Sequence, residues 1–275
     1  SLAIGRLAVV NSLTGLGTLF LGNHGAGRLT QSGVRGALAA LLKRKNSRTI
    51  VQNPDDRKFV EALGIPVNRI ELIPGSGVDV ARFTPLAEPP SPPVTVAYVG
   101  RMLADKGVYT LVEAFSRANA KAPSLELLLA GDCDKENPGS LAPEQLREFA
   151  SLFGVHWLGH VKDIRDVWQR AHIAVLASRR EGLPKSLLEA AACGRPMIAT
   201  DTPGCREIAI EGETALTFPV DDAAELAEAL LKMARDPDMR ARFGKNARTL
   251  VETKFSDAVI AKEIVALYRS LLTVN

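Results

Sequence analysis

The chain has 275 residues, 46% hydrophobic and 24% charged, with a formal net charge of +3, the composition of an ordinary soluble protein with one large or two moderate domains. Its cysteines, Cys133, Cys193 and Cys205, are far apart and show neither CxxC nor Cys/His spacing, which excludes a zinc motif and implies a reduced, cytoplasmic compartment. The apolar run at 7–22 is interrupted by Asn11, Ser12 and Thr14 and is too short for a membrane span, and no secretory leader is visible.

In chain order, the front is basic. Residues 1–60 carry nine Lys/Arg (Arg6, Arg28, Arg35, Lys43, Arg44, Lys45, Arg48, Arg57 and Lys58) against Asp55 and Asp56. Two readings stay open: a solvated helix face, or contact with an anionic membrane surface, which would place the protein peripherally at the inner face. Nucleic acid is disfavoured, because no aromatic residues interleave with these charges. Gly15, Gly17 and Gly22 form a weak glycine pattern, and His24 lies just beyond them. Residues 38–42 with the following basic triplet read as a helix packed on its own sheet.

A strand is expected at 48–52, followed by Asn53 as N-cap, Pro54 at the first helical position, Asp55 and Asp56 in the first turn, and Gly64 at the close. A second strand is expected at 69–73. The prolines at 74, 85, 89, 90, 92 and 93 then leave little regular structure, which marks a linker at 75–93 after a partial domain at 1–74.

From Val94 apolar strands are expected at 94–100, 125–131, 155–159, 172–177, 196–200 and 215–219. Helices are expected near 107–120, 143–153, 163–170, 185–193 and 205–211. Several of these strands are apolar without alternation, as in a parallel sheet covered on both faces, so 94–253 reads as a doubly wound α/β domain. Helices near 222–234, 237–250 and 256–271 close the chain, the last in a segment at 254–275 that the family resemblance set out below implies returns to the first domain.

In such a sheet a ligand lies beyond the carboxyl ends of the strands. No GxGxxG follows the strands at 94–100 and 125–131, which speaks against a nicotinamide or flavin enzyme. Instead Gly100, Arg101 and Lys106 stand after the first of them, two cations where a diphosphate would sit; solvated loop charges are the alternative. The run 178–190 contains Glu181 in a loop, Gly182 and Leu183, a helix start near Pro184, and Glu189 within that helix. The helix start offers free N–H groups to phosphate. The two carboxylates are spaced along one ligand rather than facing each other across a bond. Arg206 and Glu207 read equally as site residues or as an ion pair at a helix start, Asp132 as a turn residue, and His156, His160 and His172 as structural.

The spacing Glu181…Glu189, followed by AAACGRPMIAT, resembles the signature of glycosyltransferase family 4, group 1, the retaining enzymes of the GT-B fold. QNPDD (52–56), PGSGVD (74–79), AGDCDKENPGS (130–140), REGLPKSLLEA (180–190) and GCRE (204–207) occur in the proper order. Together they are similar to a bacterial subgroup that builds capsule or O-antigen glycans on polyprenyl diphosphate. The resemblance implies two Rossmann-like, doubly wound parallel-sheet domains, the first here lacking its front, with apolar surface exposed at 7–10 and 16–21. It implies that Arg101 and Lys106 hold the donor diphosphate next to Gly100. Glu181 would bind the donor sugar, with Gly182, Leu183 and Pro184 at the sugar and phosphate. Glu189 would bind the ribose, and the loop from Gly159 to Val161 the base. It further implies a UDP-linked donor, an N-acetylhexosamine as the sugar, a lipid-linked glycan acceptor, and no metal or organic cofactor. A nucleotide-sugar-binding remnant without turnover, or a GT-B epimerase or phosphorylase, is the alternative.

Overall fold

The structure is a computed structural model and describes residues 8–14, 28–44, 46–75, 77–121 and 124–273. Gly15, Gly17, Gly22, His24 and the apolar stretch 16–21 lie outside the described residues. The chain divides into two compact units, residues 1–77 with 257–275, and residues 78–256.

In the first unit, β1 (Val9–Leu13), β2 (Ser47–Val51) and β3 (Ile70–Leu72) form a parallel sheet in that order. Between them run α1 (Arg28–Leu42) and α2 (Pro54–Ala62). Asn53 caps α2 by accepting the Asp56 N–H at 2.8 Å, so the Asn-Pro-Asp-Asp run starts the helix as its chemistry requires. Successive residues of β2 face opposite sides of the sheet. Val51 packs with Leu42, Val60 and Ile70 on one face. Ile50 packs with Ile73, Ile260 and Leu267 on the other, the last two from α9 (Asp257–Thr273). At the edge, Val9 is 37% exposed, whereas Val10 packs against the second cluster.

The second unit is built on six parallel strands: β4 (Val94–Val99), β5 (Leu125–Ala130), β6 (Val155–Gly159), β7 (Ile173–Leu176), β8 (Met197–Thr200) and β9 (Ala215–Phe218). Their order in space is β6-β5-β4-β7-β8-β9. Between the strands lie α3 (Val108–Lys121), α4 (Pro143–Ala150), α5 (Arg165–Arg170) and α6 (Lys185–Ala192), and after β9 come α7 (Ala223–Arg235) and α8 (Pro237–Leu250). Strand order reverses between β4 and β7, so the loops leaving these two strands diverge and open a crevice at their carboxyl ends.

Two expectations are corrected. No helix forms at 205–211: residues 203–208 are turns. The Thr214 hydroxyl donates to Ile208 O and accepts from Ile210 N, both at 2.8 Å, taking backbone groups that a helix would pair internally. The stretch expected as a linker, 75–93, is not a free tether over 78–93, although it lacks regular structure before β4. Its prolines cannot donate to a sheet, and its carbonyls are taken up by side chains of the second unit. Arg248 donates to Val80 O at 3.1 Å and Phe83 O at 2.5 Å. Arg195 donates to Ala87 O at 2.8 Å. His172 accepts the Thr95 N–H at Nδ1 and meets Pro89 O at 3.1 Å through Nε2. Burial lowers the His172 pKa, which fits a neutral ring with Nε2 as donor. These groups surround a cavity of about 380 Å³, bounded by Gly194, Arg195 and Pro196 just before β8 and by His172 just before β7. That is the edge of the sheet opposite the crevice.

Candidate active site

The crevice at the switch point is a cleft of about 290 Å³. Its walls come from the end of β4 (Tyr98, Gly100, Arg101), the following loop (Lys106), and the β7–α6 loop with the first turns of α6 (Glu181, Pro184, Lys185, Ser186, Glu189). Residues from both loops therefore converge on one volume although 75 positions separate Lys106 from Glu181.

That convergence has a backbone cause. Gly107 has φ +71°, and a Cβ there would stand 2.0 Å from the carbonyl oxygen of Ala177, so the two loops touch where only glycine fits. The Arg179 N–H donates to Asp105 O at 2.9 Å across the same seam. On the other side of the β7–α6 loop, Gly204 (φ +81°) lies so close that a Cβ would meet the carbonyl oxygens of Gly182 and Glu181 at 2.4 and 2.5 Å. Glu181 is thus held from both sides.

Two cations of the cleft are paired with carboxylates. Lys106 Nζ lies 2.6 Å from Glu181 Oε1, with the two side chains 24% and 12% exposed. Arg101 Nη1 reaches Asp134 Oδ2 at 2.7 Å and is 61% exposed. Both pairs are open enough to exchange partners with an entering anion. Glu189, in the second turn of α6, is half-buried, and desolvation raises its pKa, with Lys185 and Arg82 partly opposing. A raised folded-state pKa means that the folded protein holds this proton more tightly than the unfolded chain. The resulting stability is present at low pH and is lost as pH rises through the raised value. Glu189→Gln should accordingly melt at a higher temperature than the parent at neutral pH, with the difference shrinking in acid; equal midpoints at neutral pH would count against this.

Of the residues singled out from sequence, Gly100, Arg101, Lys106, Glu181, Pro184 and Glu189 line the cleft. Gly182 and Leu183 follow Glu181 in the loop without lining it. Gly159 and Val161 lie at and beyond the end of β6, two strands from β4 on the same carboxyl edge, and also outside this lining. Arg206 pairs with Asp201. Tyr98, Lys185 and Ser186 escaped the sequence reading. Tyr98 could have been suspected, since it is the one aromatic residue in the strand VTVAYV and a buried phenol must find a partner. Among the described residues, no three His, Cys, Asp or Glu side chains cluster as ligands for a metal ion. Nor is any described helix long and apolar enough to cross a membrane.

The family model described as "Glycosyl transferases group 1" matches residues 93–236, which contain all of this cleft. The chain belongs to this family. This group 1 chain is 29% identical over 177 residues to the capsular polysaccharide biosynthesis glycosyltransferase CapM of Staphylococcus aureus, covering 64% of itself and 46% of that protein. It is 29% identical over 232 residues to the N,N'-diacetylbacillosaminyl-diphospho-undecaprenol alpha-1,3-N-acetylgalactosaminyltransferase of Campylobacter jejuni, covering 80% of itself and 59% of that protein. The chain thus spans roughly half the length of these relatives. Among solved structures, the sucrose-phosphate synthase of Thermosynechococcus elongatus superposes with a TM-score of 0.82 at 26% identity, over 97% of this chain and 68% of that one. Anabaena HepE in complex with UDP also gives 0.82, at 19% identity, over 98% and 74%. The fold is the GT-B fold of group 1 glycosyltransferases, an α/β architecture with parallel sheets.

Proposed function

We propose that the chain carries the donor site of a retaining glycosyltransferase that moves a sugar, best read as an N-acetylhexosamine, from a UDP-linked donor to a polyprenyl-diphosphate-linked glycan. The observation that carries this reading is the spacing of charge in the cleft. Arg101, Lys106 and the N-terminal end of α6 gather positive potential at one place. Glu181 and Glu189, on either side of that start, offer carboxylates to hydroxyl groups of a sugar and of a ribose. A nucleoside diphosphate sugar has this alternation: hydroxyls, anion, hydroxyls. HepE, the fold neighbour, was solved with UDP, and the Campylobacter relative is named for a diphospho-undecaprenol acceptor. Both support the choice of substrate class.

In this reading the glycosidic bond to the diphosphate breaks through an oxocarbenium-like state. The departing charge is met by Arg101, Lys106 and the N–H groups of α6, and the acceptor hydroxyl attacks the face the diphosphate leaves, giving its proton to the departing diphosphate oxygen. No covalent nucleophile takes part, and the neutralisation needs neither metal nor organic cofactor. The basic residues of the first unit, among them Lys43, Arg44, Arg57 and Lys58, would favour an anionic membrane, where a polyprenyl acceptor resides.

The test is calorimetry with UDP, followed by mass spectrometry of products from a panel of nucleotide sugars with a polyprenyl-diphosphate acceptor and by NMR of the new anomeric centre. Replacing Arg101 and Lys106 together with Ala should weaken UDP binding by about 100-fold or more, since charge-assisted hydrogen bonds contribute roughly 1.5–3 kcal/mol each. Equal affinity in the double variant would refute the diphosphate role. Binding without any transfer would leave a nucleotide-sugar-binding chain, and an inverted product would end the retaining assignment.

A further inference from the structure

We propose that Tyr98 is a positioning residue for the donor diphosphate, its hydroxyl holding the Gly100–Arg101 turn so that Arg101 presents its guanidinium to the anion. The inference rests on reading the cleft as a nucleoside diphosphate sugar site. Tyr98 stands next to last in β4, fully buried, in a strand otherwise made of aliphatic residues and threonine. Phenylalanine would fill the same volume at no polar cost, so the hydroxyl needs a reason of its own. It donates to the carbonyl oxygen of Arg101 at 2.7 Å. That carbonyl also accepts the Leu103 N–H at 2.9 Å, a bond within the loop itself. The Tyr98 bond is different in kind, because it ties the loop to a side chain rooted in the sheet.

A second observation joins the first. A Cβ on Gly100 would stand 2.9 Å from the Tyr98 hydroxyl and 3.2 Å from its Cζ. A side chain at position 100 would therefore push the hydroxyl off its acceptor. Tyr98 and Gly100 thus work as a unit that shapes the turn. Both line the cleft with Arg101 and Glu181. Burial and the nearby Glu181 raise the phenol's pKa, so it remains a proton donor at any working pH. Arg101 itself is a long, exposed side chain whose partner is the half-buried loop residue Asp134. The direction in which it starts is set by the backbone beneath it, and Tyr98 grips that backbone.

The experiment uses the full chain as Tyr98→Phe, Arg101→Ala, the double variant and Gly100→Ala, with UDP affinity by calorimetry, donor KM and kcat, and thermal midpoints. Tyr98→Phe should raise the UDP Kd and donor KM roughly five- to tenfold, the size of one ordinary hydrogen bond, with kcat falling no further than in Arg101→Ala and the thermal midpoint nearly unchanged. In the Arg101→Ala background the same change should add nothing, because it acts only through the missing guanidinium. Gly100→Ala should reproduce the weakened binding. An unchanged Kd in Tyr98→Phe overturns the proposal, and so does an equal, additive loss in the Arg101→Ala background. Failure of the site reading shows separately: a parent chain that binds no UDP overturns both. Parent-like affinity in Arg101→Ala removes the residue through which Tyr98 acts.

Discussion

Glu181→Ala is expected to cut sugar transfer by about two to three orders of magnitude while the protein stays folded. Glu181 is a loop residue whose recorded side-chain partner is Lys106, at 2.6 Å, so its loss removes no core packing. What it removes, in the proposed reading, is the carboxylate that binds the donor sugar, carried on a loop whose backbone is packed against Gly107 at Ala177 and against Gly204 at Glu181. Removing one preorganised polar group from a reacting centre costs about 10²–10³ in kcat. The lysine left behind adds a second signature. Freed from its carboxylate, Lys106 remains available to the diphosphate, so UDP should bind at least as well as before while turnover collapses. Glu181→Gln, which keeps the shape and one acceptor, should fall between. Transfer by the Ala variant within threefold of the parent, at matched donor saturation, would remove Glu181 from the mechanism.

Gly107→Ala is expected to cost the protein a large part of its stability. Two costs combine. A left-handed backbone at φ +71° costs an L-residue roughly 1 kcal/mol. The new Cβ would also overlap the Ala177 carbonyl at 2.0 Å, which is backbone and cannot rotate aside. The loops must separate, and overpacking of this kind costs typically 1–3 kcal/mol or more. A combined loss of about 3 kcal/mol corresponds to a fall of roughly 6–12 °C in the thermal midpoint for a unit of this size. Nucleotide affinity should fall with it, since Lys106 is the preceding residue. Gly159→Ala is the control: its φ is +63°, yet nothing lies within 4 Å of its Cβ position, so it should show the conformational cost alone. If both variants melt together, contact between the two loops is not what holds them.

Residues with local instructions were readable from the chain itself. The Asn-Pro-Asp-Asp start of α2, the glycine that closes it, and the apolar strands from Val94 onward depend on interactions within a few positions, and pattern alone places them. The helix expected at 205–211 failed for the opposite reason: Thr214 reaches back from outside the segment to take its backbone groups. The proline-rich stretch was read correctly as irregular. That Arg195, Arg248 and His172 would hold it against the second unit depends on partners 83 to 168 residues away.

For the site, the residue types and their order were legible, because cations, a helix start and carboxylates stand just after the apolar runs that form the strands. The strand order was not, since parallel strands of similar composition carry no label for their neighbours. Only the folded sheet decides that β4 lies beside β7, and therefore that Lys106 meets Glu181. The sequence by itself determined the family and the alternation of strand and helix, and it nominated the side chains for the site. The tertiary structure decided which of them share one cleft, how they are paired before a ligand arrives, and that Tyr98 stands beneath them. The physical reason is range: propensity and capping act over a few residues, whereas a cleft is made by contacts between segments that only packing brings together.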